Sequence, residues 1–428
     1  MRSQVYNLLK NGKYFCILPW VHLNVTSLGY MVPCCVQVEG PNSTGYGNLN
    51  INTFCELWQG KTIRNFRLKM LADEPDERCI NCYEKEKAQI ISQRMQSNAK
   101  YQKHLDWVVD TDNTGNAPSA KPIFWDIRFS NLCNLRCRTC GYSNSSSWYN
   151  DENVFRKLYS NRNSKVVKGI EDTNKFLKEL EKYYSFVEKI YFAGGEPLLF
   201  KENLLILEQL NSIKKYDIEL VYNTNFTLLN RINDFLKWWK KFKGIRMLIS
   251  LDGTHERCEY LRKGLIWKDI VENLHYLKKE CPHVTITINF TVSVFNILHV
   301  TDFHKEMVEQ GYIRPNEINL NILSTPKFYN IRIMPEELKL LAKKKMKEHY
   351  FWLKNQEPLR NKETHVFDNY FKNQWYSSIN YMDNEDWTHL IPRFIRYTNK
   401  LDKARNEKCL DVFPELKPIF CPEIEVKG

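Results

Sequence analysis

The 428-residue chain has no apolar run near the roughly 20 residues that a membrane-spanning helix needs, which excludes a helical membrane protein. Its first residues, MRSQVYNLLKNGKYFC, carry neither a long apolar h-region nor a small-residue cleavage site. No signal peptide is therefore expected, and the protein is expected to be cytoplasmic, where thiols stay reduced. There is no internal repeat, no low-complexity tract and no long basic block. Lys+Arg 62 against Asp+Glu 50 gives +12, but the cations are scattered, so the charge reads first as a solvated surface. Nucleic acid is disfavoured as a partner on that pattern, and an acidic peptide or RNA is kept only as a weaker reading.

What is present points to a folded chain. Hydrophobic residues make up 43% and aromatics 13%, too much for disorder, and the length suits two or three domains. In a reducing compartment the 13 cysteines read as metal ligands or core residues rather than disulfides.

The chain divides by pattern. Residues 1–100 are cysteine-rich, with turn signals such as EGPNSTGYGN; residues 101–121 read as a linker, ending in DTDNTGNAPSAKP; a helical extension occupies 335–428. Between them, over 122–334, short β-branched or aromatic runs (PIFWDIRFS, VEKIYFAGG, IELVYNTN, IRMLISLDG, VTITINFTVS, EINLNIL) alternate with helical patterns such as LLILEQLNSIKK and KDIVENLHYLKKE. Strand and helix alternating six times predicts an α/β fold with a parallel sheet, and right-handed crossovers would roll it into a partial (β/α)6 barrel. Six units are fewer than the eight of a closed barrel.

Directly after the first of these strands comes NLCNLRCRTCGYS, with Cys133, Cys137 and Cys140 within eight residues. Three thiols cannot all pair with one another. Spaced C-x3-C-x2-C, they can converge on one face of a cubane iron–sulfur cluster and leave the fourth iron without a protein ligand, open to a small molecule. A zinc half-site is the alternative.

Here the sequence resembles the radical S-adenosylmethionine (radical SAM) superfamily, over roughly residues 122–325. Ala193–Pro197, AGGEP, ends the second strand where that family has its Gly-Gly-Glu-Pro turn. The resemblance implies that Gly194, Gly195, Glu196 and Pro197 bind the amino group of SAM. NTN, ending in Asn225, stands where relatives show Thr-Asn-Gly; SLDG, with Ser250 and Asp252, precedes YLRKG, so Ser250 and Arg262 would meet the SAM carboxylate. The family's aromatic residue before the last cysteine is Thr139 here, which passes the adenine contact to Tyr142.

A second set of thiols opens the chain. Cys16 is followed by twelve residues, Gly29, four residues and then Cys34, and Cys79-x2-Cys82 follows later. Four thiols suit either a cubane cluster or zinc, and Cys35 competes with Cys34 as ligand. The arrangement resembles the SPASM and twitch auxiliary-cluster domains, although it precedes the barrel and has cysteines for one cluster only. Cys55, Cys258, Cys281, Cys409 and Cys421 are expected in the core.

The resemblance implies an enzyme that cleaves SAM reductively at a [4Fe-4S] cluster and takes hydrogen from a substrate, with an auxiliary [4Fe-4S] cluster and an electron donor such as flavodoxin or ferredoxin. A peptide or protein is the leading substrate class, by the family association of SPASM-type domains. The alternatives are a small molecule, such as a sugar or aminocyclitol, and a non-catalytic metal-stabilised binding protein.

Overall fold

A computed structural model describes the whole chain except residues 1, 38–44, 88, 155–164, 360–361 and 422–428. Most of the EGPNSTG turn therefore lies outside the described residues. The chain forms two compact units. One comprises Met1–Leu132, Val166–Asn223 and Asn230–Arg246, and the other Cys133–Lys165, Thr224–Leu229 and Met247–Gly428.

In the first unit, β1 (His22–Val25) and β2 (Tyr30–Val32) form a hairpin, and β2 pairs with β3 (Gly47–Asn48). On its other edge β1 runs parallel to β4 (Phe124–Ile127), with Asn24 beside Asp126. β5 (Lys189–Phe192) and β6 (Glu219–Thr224) continue in parallel and in chain order. The cysteine-rich segment thus adds strands to the same sheet as the first βα units. All four residues of β1 and all four of β4 are buried, as expected of strands covered on both faces.

The six apolar runs of the sequence correspond to β4–β6, to β7 (Gly244–Ser250), which starts in the first unit and ends in the second, and to β8 (Thr285–Val292) and β9 (Ile318–Ile322). β8 and β9 pair in parallel over five residues, from Ile288 beside Ile318 to Val292 beside Ile322. Between the strands lie α1 (Thr173–Leu180), α2 (Lys201–Ser212), α3 (Leu229–Trp239), α4 (Trp267–Glu280) and α5 (Val300–Glu309). LLILEQLNSIKK reads as a helix because Ile206, Leu207 and Leu210 recur on one buried face of α2. The architecture is α/β, with successive βα units.

The C-terminal region is helical, with α6 (Glu336–Lys354) and α7 (Ile391–Arg405). Of the cysteines expected in the core, Cys258, Cys281 and Cys409 are buried. Two are not: Cys55 is half-exposed, its Sγ 3.6 Å from Lys182 Nζ, and Cys421 is exposed near the chain end, where little packs over it. No helix among the described residues is long and apolar enough to cross a membrane.

The second unit also buries a histidine pair. His304 Nδ1 and His349 Nε2 are 3.0 Å apart, against Trp375, and neither side chain is exposed. Burial pulls His304 down to about 3 and His349 to about 2, the latter further lowered by His304. Both imidazoles fold neutral, while in the unfolded chain they take up protons near the ordinary value of about 6.5. The unfolded state therefore binds more protons as pH falls below about 6.5, and stability declines from there down towards the folded values. The thermal midpoint is expected to drop between about pH 7 and 5. A His304→Phe/His349→Phe variant should lose part of that slope; an unchanged slope would contradict the assignment.

Candidate active site and auxiliary metal centre

In the first unit, Cys16, Cys34, Cys79 and Cys82 line one cavity together with Leu18, Arg78 and Arg94. Backbone clamps set each piece. Asn98 accepts from Ile17 N–H at 2.9 Å and donates to the Phe15 carbonyl at 3.0 Å, and Arg94 also donates to that carbonyl, so the chain on both sides of Cys16 is held. Gly29 sits in the β1–β2 turn at φ +81°, and a Cβ there would fall 2.1 Å from the Gly169 carbonyl oxygen. This is the physical need behind the glycine of the C-x12-G-x4-C spacing. Cys79 ends a short 3-10 turn capped by Asp76, and Cys82 follows on the next helix, Ile80–Lys87.

Burial raises all four thiols, Cys79 to about 12, and the neighbouring thiols add to the rise at Cys16, Cys34 and Cys79. A bound metal would displace the thiol protons. Arg78 and Arg94 on the cavity wall are each paired already, with Asp76 at 2.8 Å and with Glu86 at 2.6 Å. Cys35 does not line this cavity. The four-thiol donor set fits a fully ligated metal centre.

The Cys133–Cys140 loop lies in the second unit. It is stitched to residues 261–263: Arg136 N–H donates to the Lys263 carbonyl at 3.0 Å and Arg138 N–H to that of Leu261 at 2.7 Å. Ser147 Oγ donates to the Cys133 carbonyl, and Trp148 Nε1 to that of Cys137 at 3.0 Å. Side-chain N–H groups also reach the sulfurs. Asn225 Nδ2 is 3.9 Å from Cys133 Sγ, and Arg262 Nη1 is 3.8 Å from Cys137 Sγ. Burial raises the Cys137 thiol against the pull of Arg262, and lifts Cys140 to about 12. All three cysteine residues are partly buried. Among the described residues, no three metal-ligating side chains close on a single-ion point.

The residues matched to SAM contacts are placed as follows. In the second unit, Asp252 pairs with Arg262 at 2.9 Å, and its other oxygen accepts from Thr291 N–H at 2.8 Å. Arg262 is thus fixed by a carboxylate beside the cluster loop, while Ser250 is half-buried at the end of β7. Asn225 donates to Asn134 Oδ1 at 2.8 Å, so it orients the loop. Tyr142 packs against Trp148 and Leu401.

In the first unit, Glu196 N–H donates to the Leu132 carbonyl at 2.8 Å, which brings the GGEP turn against the residue preceding Cys133. A Cβ on Gly195 would fall 2.1 Å from that same oxygen, so backbone packing by itself requires a glycine here. Glu196 is buried, and its Oε1 accepts from Leu198 N–H at 3.1 Å, capping the turn that Pro197 begins.

Five residues, Arg138, Asp151, Asp402, Arg405 and Glu407, escaped the sequence reading. Arg138, fully buried and lying between Cys137 and Cys140 in sequence, donates to Asp402 Oδ1 at 2.5 Å and to Glu407 Oε2 at 2.6 Å. Arg405 donates to the Arg136 carbonyl and pairs with Asp151, each at 2.7 Å. The only signal was local: RFIRYTNKLDKARNEK carries charges at helical spacing, which alone reads as a solvated face.

Two family models match this chain: the radical SAM superfamily over residues 127–296 and the SPASM iron–sulfur cluster-binding domain over residues 16–83. No curated protein matches it. Among solved structures, anSMEcpe with bound AdoMet and the Cp18Cys peptide is similar at 19% identity, covering 53% of this chain and 58% of that one, with a TM-score of 0.38. Streptococcus suis SuiB bound to S-adenosylmethionine is similar at 16% identity, covering 69% and 64%, with a TM-score of 0.37. The match spans less than two thirds of either relative's length.

Proposed function

The chain belongs to the radical SAM superfamily, with an iron–sulfur cluster-binding domain ahead of its barrel, and from that premise we propose a radical SAM enzyme acting on a peptide or protein. On this reading residues 1–100 form the auxiliary domain, 101–121 a linker, 122–334 the catalytic core and 335–428 an extension. A [4Fe-4S] cluster with one iron free of protein ligands, when bound, supplies the electron and the binding position for reductive cleavage of SAM, whose product takes hydrogen from the substrate. Cys133, Cys137 and Cys140 would hold it, and Cys16, Cys34, Cys79 and Cys82 the auxiliary cluster. The observation that carries the reading is the three-thiol loop, with side-chain N–H donors from Asn225, just past β6, and from Arg262, at the end of the helix His255–Leu261, near two of its sulfurs.

The chain's own residues then divide the work. Asn225 and Arg262 keep Cys133 and Cys137 oriented and offset their charge. Asp252 fixes Arg262, which with Ser250 would meet the SAM carboxylate. Glu196 offers a carboxylate to the SAM ammonium from the turn that Gly194, Gly195 and Pro197 shape, and Tyr142 would take the adenine. Electrons would come from a donor of the flavodoxin or ferredoxin class. The SPASM match supports a peptide or protein substrate, through that domain's association with peptide modification.

The test is Glu196→Gln. The amide oxygen can still cap Leu198 N–H, but the negative charge is lost. SAM affinity should fall about tenfold, the worth of one charge-assisted contact, with iron content and thermal midpoint nearly unchanged. Loss of iron equal to that of a cysteine variant would point to a structural role instead.

A further inference from the structure

Beyond β9, in the second unit, Thr325, Pro326, Lys327, Phe328, Trp387, His389, Leu390 and Arg393 line a groove of about 470 Å³. That volume is in the range of ligand-binding clefts. Its floor is apolar: Phe328 is buried, and Pro326, Trp387 and Leu390 are half-buried. Its rim is cationic and exposed. Lys327 Nζ lies 5.2 Å from the Trp387 ring centre, and the Arg393 guanidinium 5.0 Å from that of Phe328.

No carboxylate lines the groove. The nearest ones in sequence are engaged: Glu385 accepts from Trp387 Nε1 at 2.8 Å and pairs with Arg332 at 3.3 Å, and Asp386 accepts from Thr388 N–H at 2.8 Å. Neither Lys327 nor Arg393 has a salt-bridge partner among the described residues, and α7, which starts here, has no acidic residue in its first turn. Cations spread over aromatic faces, without a direct salt-bridge partner, complement carboxylates flanking an apolar side chain.

The groove also lies close to the cluster loop. Phe328 packs on Tyr397 with ring centres 4.7 Å apart, Tyr397 packs against the Trp148–Leu401 pair, and Trp148 donates to the Cys137 carbonyl.

We propose that this groove receives an acidic segment of the substrate peptide. Lys327 and Arg393 engage its Asp or Glu carboxylates, and an apolar side chain rests on Phe328 and Leu390. The proposal rests on the peptide reading above and adds a substrate class and a place.

Calorimetric titration of the anaerobically reconstituted full chain tests it, with a synthetic Glu-Leu-Glu-Glu-Phe-Glu peptide and its Gln-for-Glu counterpart as probes. The acidic peptide should bind at least about tenfold tighter at low ionic strength, and salt should erase much of the difference. A Lys327→Glu/Arg393→Glu variant should lose that preference while keeping full iron content and the basal rate of SAM cleavage. Equal affinity for the two peptides, or a variant that binds as the parent does, overturns the proposal. So does a single-stranded RNA that outcompetes the peptide and is itself lost in the variant. Absent SAM cleavage in the parent would instead sink the enzymatic reading, which the iron and cleavage assays detect separately from peptide binding.

Discussion

Protein with Cys133, Cys137 and Cys140 all replaced by alanine, prepared anaerobically, is expected to keep about four of about eight irons and to cleave no SAM. The two thiol sets occupy different units and share no residue, so removing one should leave the other intact. In this background the remaining iron reports on Cys16, Cys34, Cys79 and Cys82 alone, with broad visible absorption bleached by dithionite. A colourless protein carrying zinc would overturn the auxiliary-cluster assignment, and undiminished SAM cleavage would overturn the active site. Adding Cys34→Ser should cost the remaining iron, whereas Cys35→Ser should cost little, because Cys34 lines the cavity and Cys35 does not.

The second large effect is expected far from any cysteine in sequence. Arg138→Met should destabilise the protein by about 3 kcal/mol, since breaking a buried ion pair from one side costs roughly that much. Asp402 would keep Tyr260 Oη and Cys409 N–H as donors, and Glu407 would keep Lys263, so neither carboxylate is left wholly without a partner. What is lost is one of two ties between the Cys133–Cys140 loop and the C-terminal helix, the bond from Arg405 to the Arg136 carbonyl remaining. Iron in the barrel site should fall by about half, a larger loss than global destabilisation alone would bring while the fold persists. Arg138→Lys should recover little, because one ammonium cannot serve Asp402, Glu407 and the Tyr260 carbonyl in the guanidinium's fixed geometry. Full iron and normal SAM cleavage in Arg138→Met would reduce α7 to a mere cover. Urea midpoints and iron analysis on the same samples separate the two outcomes.

Much of the fold was legible because it is periodic. VTITINFTVS and EINLNIL alternate or run apolar over strand lengths, and KDIVENLHYLKKE repeats at helical spacing, so β8, β9 and α4 lie where the pattern places them. The placement of β1 beside β4 was not legible. HLNV alternates over only four residues, and nothing in it names a partner about a hundred positions away. The expected core position of Cys55 failed for a related reason: TFCELW is apolar around the cysteine, but the face carrying Cys55 looks outward to Lys182.

By itself the sequence determined the chemistry: three thiols in eight residues, a second four-thiol set with its obligatory Gly29, and the order of the βα units. These are local properties, carried by covalent spacing and the preferences of a few neighbouring residues. Only the tertiary structure decided which of two adjacent cysteines meets the auxiliary cavity, since neighbouring side chains leave the backbone in different directions. It also decided that Gly195 serves backbone packing against Leu132. Above all it decided what holds the cluster loop, because Arg138 finds Asp402 and Glu407 across separations of 264 and 269 residues. A charge bound for a buried pair and one bound for solvent look alike in a helical pattern; only the packing that takes both partners out of water tells them apart.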